Sequence, residues 1–135
     1  MQLTATTAHV SKKRLWTGRI MSAVPVLMLF ASAMFKLASA PGLEEGFSKL
    51  GWPASLAVTL GVLELTCTAI YLTPRTSVLG AILLTGYLGG AIATHMRIGD
   101  PYVMPALLGM LLWGGLWFRD PRLQGLIPVK SDRPL

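Results

Sequence analysis

The chain has 135 residues, 53% of them hydrophobic and 13% charged, with a formal net charge of +6 and one cysteine. A single thiol excludes an intrachain disulfide or a dithiol relay carried by this chain alone, and the basic residues, which form no helical stripe and have no interleaved aromatics, do not read as nucleic-acid binding. The composition fits one small membrane domain whose charges collect at the ends of four apolar stretches.

Residues 1–14 form a polar, Thr-rich tail, expected to be disordered and cytoplasmic. Lys12, Lys13 and Arg14 close it and lead into the first apolar stretch, about 15–38. This run is too long for the apolar region of a signal peptide, and Lys36 interrupts it before any convincing cleavage site, so it reads as a retained membrane helix. A helix rising ~1.5 Å per residue needs about 20 apolar residues to cross a ~30 Å hydrocarbon core. Gly18, Ser22, Pro25, Leu29, Ser32 and Lys36 fall at alternating spacings of four and three, which makes one seam of small or polar groups. Pro25 frees the carbonyl of Met21 and predicts a kink. In the segment that follows, 41–51, Leu43, Phe47 and Leu50 share one face. That spacing predicts a short amphipathic helix in the outer interface, with Glu44 and Glu45 favoured in its first turn by the helix dipole.

The second stretch, about 52–73, carries the most informative residue, Glu64. An ionised carboxylate in mid-membrane costs at least ~2.5 kcal/mol, so Glu64 either holds a proton or is paired between helices. It shares a seam with Ala57, Gly61, Thr68 and Tyr71, which points it inward. Cys67 reads as a small packing residue beside that seam. The third stretch, about 76–96, contains Gly86-x-x-x-Gly90 with Thr94 four residues on, a pattern that selects a close-packing face. At matched depth, Tyr87 is the best partner for Glu64, with Thr85 second; Lys36 lies about two turns away, so a direct ion pair needs helix tilt or a reaching side chain. His95 and Arg97 close this stretch and, with Lys36, Asp100 and Tyr102, form a candidate polar cluster above Glu64. The fourth stretch is about 101–118, and 129–135 is a cytoplasmic tail.

Tight turns at 73–75 and 98–101, which contain proline or glycine, force adjacent antiparallel helices. Lys12, Lys13, Arg14, Arg19, Arg75, Arg119, Arg122, Lys130 and Arg133 fall on one side, against Lys36, Lys49 and Arg97 on the other. The positive-inside rule then places both termini in the cytoplasm. The expected fold is therefore all-α, an integral membrane antiparallel four-helix bundle with a short interfacial helix after the first span. Glu64, Tyr87, Lys36, His95 and Arg97 are its ligand-binding candidates. No catalytic residue emerges, no metal set is present, and paired haem histidines, a phosphate-cradling loop and a serine nucleophile motif are all missing from the sequence.

Several runs together resemble the DoxX-like family of small four-helix bacterial membrane proteins. They are Leu50-Gly51-Trp52-Pro53, Gly61-Val62-Leu63-Glu64-Leu65, Tyr71-Leu72-Thr73-Pro74-Arg75-Thr76, and the segment 80–97 that ends Thr94-His95-Met96-Arg97. The resemblance covers about 15–128, and Lys36 falls where such proteins often carry a lysine. It implies a multi-pass protein of the bacterial inner membrane. The family takes its name from a subunit of a thiosulfate–quinone oxidoreductase, which implies an accessory subunit of a membrane redox system that binds a quinone or another lipophilic ligand. The alternatives are a small-solute carrier, or a structural protein that stabilises a partner without catalysis of its own. The chain alone is expected to bind no cofactor other than a quinone. Its expected partners are the lipid bilayer and either a membrane redox protein or a second copy of itself.

Overall fold

A computed structural model describes residues 10–130. The expected disorder of the N-terminal tail and the expected cytoplasmic C-terminal tail fall largely on residues 1–9 and 131–135, outside the described ones. All regular structure among the described residues is helical. Helix α1 (Lys12–Leu37) starts earlier than the apolar run because Ser11 caps it, its hydroxyl accepting from the Arg14 N–H at 3.4 Å. Helix α2 (Leu43–Leu50) is bracketed by Gly42 (φ +89°) and Gly51 (φ +75°), left-handed positions that suit glycine. A 3₁₀ turn, Ala54–Leu56, leads into α3 (Ala57–Leu72), followed by α4 (Ser77–Arg97) and α5 (Val103–Arg119). A last short helix, α6 (Pro121–Gln124), has no counterpart in the expected fold. Asp120 starts it by accepting from the Arg122 N–H at 2.9 Å, and Pro121 presets its first φ.

Three helical segments, Lys12–Leu37, Ala54–Leu72 and Ser77–Arg97, are long and apolar enough to cross a membrane; α5 is equally apolar but has 17 residues. Their outward faces are apolar, with Ile20, Leu27, Ile82 and Met110 all more than half exposed. Their inward faces carry Ser22, Glu64 and Thr68, all buried. Apolar groups outside and polar groups inside is the arrangement lipid demands, so this is a membrane protein.

The helices pack in a ring, α1 on α3, α3 on α4, α4 on α5 and α5 on α1. Glycine sets two of these approaches. A Cβ on Gly115 would stand 2.8 Å from the Gly18 carbonyl, and one on Gly80 would collide with the Tyr71 backbone. Around the first crossing lies a polar knot that ties three helices. Tyr71 donates to the Leu112 carbonyl at 2.7 Å and pairs with the Ser22 hydroxyl at 2.8 Å. Arg119 donates to Ser22 at 3.1 Å and to Tyr71 at 3.2 Å. Ser22 and Tyr71 were legible as seam residues; Arg119 was not, because a cation after an apolar stretch reads as an interface anchor. Cys67 is buried within the main apolar cluster, alongside Leu29, Leu84 and Leu112.

The Gly86-x-x-x-Gly90 expectation needs correction. Neither glycine meets any atom within 4 Å of where its Cβ would stand, so this face does not pack closely. The close approach of α3 and α4 is made instead a full turn or more earlier, at Gly80.

These contrasts predict opposite outcomes for similar substitutions. Gly80→Ala forces backbone apart and should cost about 1–3 kcal/mol, read as a lower melting temperature in detergent. Gly86→Ala enters open space and adds helix propensity, so it should melt at or slightly above the wild type.

Candidate functional site

The geometry around Glu64 is set one turn earlier by Gly61. A Cβ there would lie 3.2 Å from the Ala33 carbonyl, so glycine lets α3 run close to the last turns of α1. That proximity brings the lysine stem within reach of the carboxylate. Lys36 Nζ donates to Glu64 Oε2 at 2.6 Å, and Ser32, one turn earlier on α1, donates to the same oxygen at 3.2 Å. Lys36 also donates to Ser32, which closes a triangle. The Glu64 side chain is 2% exposed and that of Lys36 is 15% exposed.

Two expectations are thereby corrected. Lys36, not Tyr87, is the hydrogen-bonded partner of Glu64, because its four-carbon stem spans the offset in depth and buries its apolar length on the way. Thr85 is engaged elsewhere, donating to the Ala81 carbonyl and accepting from Trp113 Nε1 at 2.8 Å. Tyr87 stays close, its ring centroid 5.9 Å from Lys36 Nζ, within cation–π range.

Glu64, Lys36, Tyr87 and His95 all line one cavity of about 590 Å³, in the size range of small-molecule sites. Its polar end is the Lys36–Glu64–Ser32 triangle. Its walls are mainly apolar: Met28 and Leu29 of α1, Leu60 of α3, and Pro101, Met104 and Leu108 of α5 with the turn before it. Gly86 and Gly90 also line it, so along α4 part of the wall is bare backbone. Phe47 and Leu50 of α2, with Trp52, form the lining at the end where α2 lies. Ser32 and Trp52 are site residues that the sequence reading did not select. Ser32 was detectable by its place four residues before Lys36 on the same seam.

The fifth candidate, Arg97, does not line the cavity. It donates instead to the Leu50 carbonyl, tying the end of α2 to the end of α4. The Lys49–Asp100 pair at 2.8 Å and a Trp52 Nε1 to Thr94 bond at 3.4 Å reinforce that tie. The Lys49–Asp100 pair is largely exposed and is worth at most about 1 kcal/mol. His95 Nδ1 lies 2.7 Å from the Ala91 carbonyl, which assigns its proton there and turns Nε2 toward Asp100 Oδ2, 4.0 Å away. Among the described residues, no group of three or more His, Cys, Asp or Glu side chains stands together as a metal site. The arrangement can therefore bind and orient a molecule with an apolar body and a polar head.

A model of the DoxX-like family matches residues 20–115, a range that contains every residue of the triangle together with Tyr87 and His95. No curated protein and no solved structure matches the chain.

The ion pair makes a sharp stability prediction. Lys36→Met leaves a buried carboxylate without its cation and should cost about 3–5 kcal/mol. Lys36→Met combined with Glu64→Gln removes both charges and should recover more than half of that loss. Thermal unfolding in detergent reads both, and a single variant that melts with the wild type would show that the pair contributes nothing.

Proposed function

This chain belongs to the DoxX-like family, and from that membership and the cavity we propose that it is an accessory subunit of a bacterial inner-membrane redox system that binds a quinone or similar lipophilic ligand. In this reading all four long helices span the bilayer as an antiparallel bundle, with both termini cytoplasmic and α2 lying in the outer interface. The short α5 is about 26 Å long at ~1.5 Å per residue, near the lower limit for a span. Arg14 lies 5.4 Å over Trp117, which supports a shared end for the start of α1 and the finish of α5.

One observation carries the functional reading: a mostly apolar cavity whose inner end is a buried, hydrogen-bonded ion pair. An apolar body with a polar head satisfies both parts, since hydrocarbon fills the walls and the head meets groups that would otherwise face a void. With one cysteine the chain offers no thiol pair of its own for electron transfer, which favours an accessory role beside a redox partner. Reading it as a purely structural protein draws less support. Gly18, Gly80 and Gly115 are consumed in the chain's own packing, and Gly86 and Gly90 line the cavity.

Two measurements test this reading. Reporter fusions after Arg97 and after Arg119 should report opposite sides of the membrane; a cytoplasmic 97–101 turn would overturn the topology. Titrating the protein in lipid nanodiscs with decylubiquinone should quench tryptophan fluorescence saturably, and Trp52→Phe should remove most of that signal. Absence of saturable quenching, together with a mild-detergent preparation that contains neither quinone nor a redox partner, would overturn the function.

A further inference from the structure

A second hollow lies at the end of the molecule away from α2, where the chain folds back after α5. It measures about 310 Å³ and is lined by Trp113, Gly114 and Trp117 of α5, Leu123 of α6, and Ile127 and Pro128 beyond it. Two hydrogen bonds hold its walls together. Trp117 Nε1 donates to the Ile127 carbonyl at 3.0 Å, and Gln124 Nε2 donates to the Trp117 carbonyl at 2.8 Å. The indole N–H of Trp117 is spent in this way and the lining contains no charged side chain, so the groove offers an occupant mainly hydrocarbon. The adjoining Leu126 and Val129 are exposed, an apolar surface that the headgroup–acyl boundary shelters and water does not.

The rim of this groove is cationic. The Arg14 guanidinium lies 5.4 Å over the ring of Trp117, one of the groove walls. Lys12 and Lys13 precede Arg14 on α1, and Arg122 precedes Leu123 on α6. Asp120 is the one acid among the described residues at this end, and its carboxylate accepts from the Arg122 backbone N–H. The ion pairs among the described residues all lie elsewhere. A guanidinium over an aromatic face keeps its N–H edge for a phosphate. A hydrocarbon trough beside uncompensated positive charge complements a molecule with an acyl chain and an anionic head. We propose that the groove is a binding site for an anionic phospholipid of the inner leaflet, with an acyl chain along Trp113, Leu123 and Ile127 and the phosphate at Arg14. The site uses the topology given above and is independent of the quinone reading. Arg19 supplies a contrast within the same helix. Its guanidinium also lies 5.4 Å over a tryptophan, Trp16, but Trp16 is exposed and lines neither the groove nor the cavity. Diffuse attraction of anionic lipid to basic flanks acts on both arginines; only Arg14 stands beside a seat for the chain.

The test reconstitutes the full chain in phosphatidylcholine nanodiscs and reads tryptophan quenching by lipids brominated on their acyl chains, phosphatidylglycerol in one series and phosphatidylcholine in the other. In the wild type, brominated phosphatidylglycerol should reach half-maximal quenching at about one-fifth of the mole fraction that brominated phosphatidylcholine needs, the ratio expected of one basic side chain at a lipid phosphate. Arg14→Gln should bring the two lipids within about twofold of each other, whereas Arg19→Gln should keep at least half of the wild-type ratio. Equal quenching by the two lipids in the wild type, as expected of a groove that takes any acyl chain or is covered by another protein segment, would overturn the proposal. So would a selectivity that survives Arg14→Gln, or one that falls equally in both variants, since either assigns it to the basic flank as a whole. Both arginines lie on the outside of α1, and the wild-type ratio is informative without either variant.

Discussion

A carboxylate inside hydrocarbon must find a cation or a proton, and in this protein it finds Lys36. Most of the site follows from that requirement. The pair lies where α1 and α3 approach over Gly61, so its 2.6 Å separation holds the two helices in one register. Low dielectric makes the attraction strong and makes either partner alone expensive, which is why Ser32 is drawn in as a third member. The same triangle supplies the polar end of the cavity that joins α1, α3, α4 and α5.

The two halves of the molecule solve the packing problem differently. Toward the chain termini, glycines at 18, 80 and 115 let backbones touch, and the Ser22–Tyr71–Arg119 knot fills the remaining space with hydrogen bonds. Toward α2, glycines at 86 and 90 do the reverse: they remove side chains without bringing a neighbour closer, and a cavity results. The residue type is the same and the consequence opposite, because what matters is whether a facing element moves in. In this half α2 contributes Phe47 and Leu50 to the lining, and its end is held to the end of α4 by Arg97. A closed half thus supports an open one, a division suited to binding without large rearrangement.

Helical content, the apolar spans and the inward direction of Glu64 were legible because lipid leaves few alternatives. Long runs without a polar stripe must be membrane helices, and a buried acid must face other helices. The four-and-three spacing identified Ser22, Leu29, Gly61, Thr68 and Tyr71 as seam residues, all of which are buried. Of the polar cluster expected from His95, Arg97, Lys36, Asp100 and Tyr102, Lys36 and His95 line the cavity and Arg97 does not; Tyr87, expected beside Glu64, lines it too. Their pairing was not legible. Matching residues by depth ranked Tyr87 above Lys36 for Glu64 and gave too little weight to the reach of a lysine stem.

The sequence by itself determined the solvent, the helices and which faces turn inward, since each depends on local pattern and on the cost of exposing polar groups to lipid. Only the tertiary structure decided which glycines close a gap and which open one, that Arg97 ties α2 while Lys36 takes the carboxylate, and that Arg119 joins Tyr71. Those outcomes depend on distances between helices, set by every side chain at a crossing at once, and no spacing along one helix encodes them.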